Sequence, residues 1–153
     1  MSWEDKVAPI KGTIKIDSDP AIIRVRRLAR KLSKQAGFAL TDTTRIVTAV
    51  SELARNAWQH ARGGSMHWKQ VSKGGKRGLE LIFEDHGDGI PDINLAMEKG
   101  YSTSNGQGLG LPGTKRLMDE FEIQSENGKG TKVSVRKWLR LANPIPKIKL
   151  VLP

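Results

Sequence analysis

Apolar residues recur at helical spacing in two stretches and at strand spacing in four. Ile22, Val25, Ala29 and Leu32 mark the first helix. Ser18-Asp19-Pro20 supplies a capping side chain and a proline for its first turn, and Gly37 supplies a stop. A second helix is predicted from about Thr41 to Ala61, closed by Gly63-Gly64, with the apolar stripe Ile46, Ala49, Val50, Leu53 and Ala57. At about 100° per residue, Asn56 and His60 fall inside the border of that stripe, and Glu52 lies one turn before Asn56 on the same flank. Polar groups at a half-buried border cost free energy unless they find partners, so this flank asks for a functional explanation.

Alternation takes over after the second helix. Residues 65–72 and 78–85 read as strands joined by Lys73-Gly74-Gly75-Lys76. Leu79, Leu81 and Phe83 share a face, and Asp85 continues it, which places a carboxylate on the core side at a strand end. A short helix is expected at 91–99, and a mobile loop from Gly100 to Gly110. Pro112 opens a further helix to about Glu120. Strands at 121–126 and 131–139 flank Asn127-Gly128-Lys129-Gly130, with Thr131, Val133 and Val135 on one face. Thr13–Asp17 is expected as an edge strand, 1–12 as a loose arm, and 141–153, with its prolines, as an extended tail.

Length and composition narrow the classes. The 153 residues suit one core. With no cysteine, disulfides and thiolate metal sites are excluded. No apolar run reaches bilayer length and no signal peptide is evident, so the expectation is a cytoplasmic protein with no membrane partner. The formal charge of +10 raises nucleic-acid binding. The cations are spread along the chain, however, with a moderate cluster at Arg24, Arg26, Arg27, Arg30, Lys31 and Lys34, and no zinc-finger spacing or RNA-binding aromatic signature accompanies them. A solvated basic face is favoured over a duplex-binding surface; a face that meets an acidic protein is the third reading.

Four local features combine in order: Glu52-x-x-x-Asn56 on a helix, Asp85-x-Gly87-x-Gly89 after a strand, Gly106-x-Gly108-Leu109-Gly110 before a helix, and Gly130-Thr131 opening a strand. Each alone is usually structural: a solvated helix face, a tight turn, a flexible loop, a hairpin exit. Together, in this order, they resemble the GHKL ATPase superfamily with its Bergerat nucleotide fold. Ala49-Val50-Ser51-Glu52-Leu53-Ala54-Arg55-Asn56, the stretch from Glu84 to Ile93, and Gly108 to Phe121 are most similar to the RsbT-type switch kinases of the stressosome. The resemblance covers roughly 13–140. P-loop, eukaryotic-kinase and dinucleotide fingerprints are absent from the sequence.

The resemblance implies an α+β, two-layer α/β sandwich with a mixed, mostly antiparallel sheet and helices on one face. It also implies ATP and Mg²⁺. Asn56 would give an amide oxygen to the magnesium, a hard ion that prefers oxygen. Glu52 would act as general base. Asp85 would accept the exocyclic amine of adenine, with Thr131 beside it and Gly87 and Gly89 letting the backbone approach the base. Gly106, Gly108, Leu109 and Gly110 would approach the phosphates, with Ser102 and Thr103 in a lid and Lys115 or Arg116 neutralising phosphate charge. His60 is expected as a hydrogen-bonded core residue, and His67 and His86 are not spaced as metal ligands. The implied activity is ATP-dependent phosphorylation of a serine or threonine on a STAS-domain antagonist protein, followed by activation of a downstream phosphatase. The alternative is an anti-sigma-factor-like binding module that uses ATP as a conformational ligand.

Overall fold

Two capped helices laid across an antiparallel sheet account for most of the chain. The computed structural model describes residues 7–90, 92–98 and 110–140, and the elements below lie within them. Strand β1 is Lys11–Ile16, followed by helices α1, Asp19–Ala36, and α2, Leu40–Ala61. Strands β2, Gly64–Lys73, and β3, Lys76–Asp85, form a hairpin; α3, Ile93–Ala96, and α4, Gly110–Leu117, precede β4, Glu120–Glu126, and β5, Gly130–Trp138. The sheet order is β1-β2-β3-β5-β4. Every ladder is antiparallel. The parallel pairing allowed for by a mixed sheet is therefore absent among the described residues, while the two-layer α+β arrangement is present.

Local chemistry sets the element ends. Ser18 Oγ accepts the Ala21 N–H at 3.1 Å and starts α1. Gly37, at φ 99°, ends it by donating to the Lys34 and Ser33 carbonyls. Helix α2 starts one residue earlier than predicted, from Ala39, which offers no side-chain cap. Its left-handed terminal residue is Arg62 rather than either glycine, and Gly64 is the first residue of β2. Helix α4 begins two residues before Pro112 and stops at Leu117, short of the expected Glu120, because Glu120 is already paired with Arg136 across the β4–β5 ladder.

The two-residue strand period decides the layers. Met66, Leu79, Leu81, Phe83, Val133 and Val135 are buried under the α1 and α2 stripes formed by Val25, Ala29, Leu32, Ile46, Val50 and Leu53. Truncating one of these, Leu81→Ala for example, costs about 2–5 kcal/mol. The opposite sheet face is polar and cross-linked by charge. Arg136 Nε meets Glu80 Oε2 at 2.6 Å, and Lys69 and Glu120 flank that pair. The Glu80 hydrogen bond raises the proton affinity of the Arg136 guanidinium.

The expected loose arm is only partly loose. Residues 11 and 12 belong to β1, and Ala8 is buried and exchanges two hydrogen bonds with the Gln35 amide, at 2.8 and 2.7 Å. The Pro9 carbonyl accepts Trp68 Nε1–H at 3.0 Å. An indole and a primary amide tie the backbone down where no apolar period exists to announce it. Residues 1–6 and the predicted tail, 141–153, lie outside the described residues.

Candidate functional site

The C-terminal half of α2 and the ends of β3 and β5 enclose a cleft of about 210 Å³. Glu52, Asn56 and His60 line it from α2, Asp85 from the end of β3, Gly89 and Ile90 from the following loop, Gly110 and Leu111 from the start of α4, and Thr131 from β5. Residues far apart in sequence converge here because Asp85 and Thr131 are register partners on adjacent strands, with α2 lying over that end of the sheet.

Asp85 Oδ1 accepts the backbone N–H groups of Gly87, at 3.0 Å, and Thr131, at 3.2 Å. These bonds fix the carboxylate plane, and the second oxygen takes no bond from a described residue. Glu52 is buried, and its Oε1 is paired with the Arg55 guanidinium at 2.6 Å. The half-buried Asn56 side chain makes no hydrogen bond to any described residue. A polar amide left open on a cleft lined by three carboxylates, Glu52, Asp85 and Asp88, suits an oxygen ligand for Mg²⁺. Among the described residues no three His, Asp or Glu side chains converge on a point, so such an ion would take most of its ligands from phosphate and water.

The predicted glycines divide by role. Gly89 has φ +79°, and a Cβ there would meet the Glu126 carbonyl at 2.5 Å, so the loop after β3 can pass under the β4–β5 hairpin only with glycine. Gly87 does not line the cleft. A Cβ at this position would meet the Ala61 Cβ at 2.7 Å, so its smallness serves the approach of the loop to α2 rather than to a base. Gly110 reaches the cleft as the first residue of α4. Ser102, Thr103, Gly106, Gly108 and Leu109 lie outside the described residues. Lys115 and Arg116 are exposed in the last turn of α4 and do not line the cleft, which removes them as cleft-facing phosphate ligands. His60 is exposed and lines the cleft, where a core position had been expected; one further turn carries it past the sheet edge that buries Leu53 and Ala57.

Two contributors carried no signal of their own. Ser125 Oγ accepts the Ile90 N–H at 2.6 Å and lies 2.9 Å from Thr131 Oγ1, bracing the cleft wall. Its register opposite Thr131 was the available clue. Arg55 stands one residue before Asn56, and its partner Glu52 lies at the i−3 spacing of a helical ion pair.

Comparisons with known proteins bear on the family and the fold. The model of the histidine kinase-like ATPase domain matches residues 16–137, most of the chain and every cleft element. The chain belongs to the histidine kinase-like ATPase domain family. Within that family it is 50% identical over 130 residues to the serine/threonine-protein kinase RsbT of Bacillus subtilis, covering 85% of this chain and 98% of the relative. It is 34% identical over 104 residues to the anti-sigma F factor of Clostridium kluyveri, covering 64% of this chain and 72% of that protein. Among solved structures, the RsbU and RsbW domains of Rv1364c from Mycobacterium tuberculosis superpose with a TM-score of 0.59 at 21% identity, over 85% of this chain and 32% of the other. That likeness speaks for the ATPase-domain fold alone. No helix among the described residues is long and apolar enough to cross a membrane.

Proposed function

We propose that the chain is a cytoplasmic, ATP-dependent serine/threonine protein kinase of a bacterial partner-switching pathway. It would phosphorylate a STAS-domain antagonist protein and, once released, activate a downstream phosphatase. The enzyme class rests on the likeness to RsbT over nearly its whole length. The observation that carries the chemistry is the convergence of Glu52, Asn56 and Asp85 on one cleft.

Each side chain has a task its surroundings suit. Asp85, with one oxygen committed to two backbone donors, offers the other to the adenine amine, which selects adenine over guanine. Asn56 would hold Mg²⁺ through its amide oxygen; the ion, when bound, neutralises phosphate charge. Glu52 takes the proton from the acceptor hydroxyl as its oxygen bonds to the γ-phosphorus, ADP departs with the electrons of the broken P–O bond, and the proton passes to solvent. Thr131 and Ser125 hold the adenine side of the cleft in register. To test the reading, candidate STAS proteins are incubated with the chain, Mg²⁺ and labelled ATP. Transfer to a serine or threonine of one of them is expected; intact ATP binding with no transfer to any would sink it.

The anti-sigma-like alternative draws support from the 34% identity to the anti-sigma F factor and from the Arg55 guanidinium already occupying one Glu52 oxygen. Glu52→Ala separates the two readings, because partner capture controlled by nucleotide survives loss of the base and phosphoryl transfer does not.

A further inference from the structure

The cations of α1 gather where the nucleotide cleft does not reach. This helix carries six of them against one carboxylate, Asp19, and so holds half of the formal charge of +10. Arg26, Arg27, Arg30 and Lys34 line a groove of about 610 Å³ along α1, together with Ile23 and, from α2, Val47. Several cations elsewhere are matched: Arg55, Arg45, Arg136 and Lys137 all meet carboxylates. Among the described residues no carboxylate lies within ion-pair distance of Arg26, Arg27, Arg30 or Lys34. Arg26, Arg30 and Lys34 follow one another at i,i+4 spacing, where like charges destabilise a helix. The fold gains nothing from that arrangement.

The apolar members choose between ligands. Ile23 is 50% exposed beside the arginines. Phosphate backbones would leave an isoleucine unsatisfied, whereas a protein segment can bury an apolar side chain against Ile23 and Val47 while its carboxylates meet the guanidinium groups. Val47 also belongs to the helix that carries Glu52 and Asn56, with roughly 7–8 Å of axial rise between Val47 and Glu52. A partner held in the groove therefore sits beside the helix that bears the reacting groups.

We propose that the α1 groove is the docking site for an acidic surface segment of the protein partner, anchored by one apolar side chain over Ile23 and Val47. The choice of the STAS-domain antagonist as that partner rests on the kinase reading above. The test measures binding and transfer separately, using the STAS proteins as probes. Binding is followed by fluorescence anisotropy in the presence of a non-hydrolysable ATP analogue, and transfer is followed with labelled ATP. The charge reversal Arg27→Glu with Arg30→Glu is compared with the conservative Arg27→Lys with Arg30→Lys, and folding is checked by circular dichroism and ATP affinity.

The reversal is expected to raise both Kd and KM for the acceptor by about tenfold or more, with kcat at saturating acceptor and ATP affinity unchanged. The lysine variant should stay within roughly threefold, because it keeps the charge and loses only the guanidinium fork. Wild-type affinity should weaken from about 50 to about 300 mM salt, and that slope should flatten in the reversal. Groove-dependent binding without phosphoryl transfer leaves the docking site standing and removes the kinase reading. Acceptor affinity equal in reversal and wild type overturns the docking site, as does absence of STAS binding. Loss of duplex-DNA binding in the reversal, with STAS affinity untouched, makes the groove a nucleic-acid site and equally overturns it.

Discussion

Asp42 and Glu52 stand on the same helix and are almost equally buried, at 6% and 8% exposure, yet their surroundings are opposite. Asp42, in the first turn of α2, is ringed by cations: Arg45 at 2.8 Å, Lys137 at 3.7 Å and Arg140 at 3.7 Å. Lys137, itself buried, also bonds the Leu117 carbonyl at 2.8 Å and faces Asp119 at 3.5 Å. Every charge there has a partner within the fold, and the cluster joins α2, the end of α4 and β5. Among the described residues Glu52 has one side-chain partner, Arg55, and it faces a cleft shared with the open Asn56 amide and one open oxygen of Asp85. Buried charge of similar depth is consumed as structure at one end of α2 and kept available at the other. No buried side-chain polar atom among the described residues lacks a partner, so the open groups at the cleft end face solvent and remain accessible to a ligand.

Substitutions at the two ends should therefore separate activity from stability. The largest effect belongs to Glu52→Gln, which keeps the shape and removes the proposed base: phosphoryl transfer should fall about 10²–10⁴-fold with ATP affinity nearly unchanged, read by single-turnover kinetics. Equal transfer rates would move the base elsewhere. Asp85→Asn comes next. Losing a charged acceptor should weaken ATP binding about 10–100-fold, measured calorimetrically, without altering the melting profile much. At the closed end the sign of the comparison reverses. Asp42→Ala should lower stability by about 2–3 kcal/mol in a denaturant titration, less than a fully orphaned buried charge because Lys137 retains Asp119. ATP affinity should hardly change. The smallest effect is Thr131→Val, which removes the hydroxyl contact to Ser125 and should cost ATP affinity a few-fold.

Much of this was legible before any fold was known. The strand period put Asp85 on the core side, and the helical period put Glu52, Asn56 and His60 on one flank; all four line the cleft. Periodicity alone could not tell that His60 lies one turn too far to be buried, because that depends on where the sheet ends beneath α2. Nor could it read Gly87, whose constraint is Ala61, a contact created by tertiary packing. The anchored residues 8–10 were missed because single side-chain bonds, Gln35 to Ala8 and Trp68 to Pro9, hold them without any repeating pattern. Lys137 lies on the apolar face of β5, where strand alternation predicts a hydrophobe. Only the distant carboxylates Asp42 and Asp119 explain it.

A crystal structure with Mg²⁺ and a non-hydrolysable ATP analogue tests the central claim most directly. The account predicts the adenine amine on the free oxygen of Asp85, the metal on the Asn56 amide oxygen, and the Glu52 carboxylate facing the γ-phosphate. Nucleotide bound away from this cleft, or bound in it with Asp85 and Asn56 both out of contact, would contradict it.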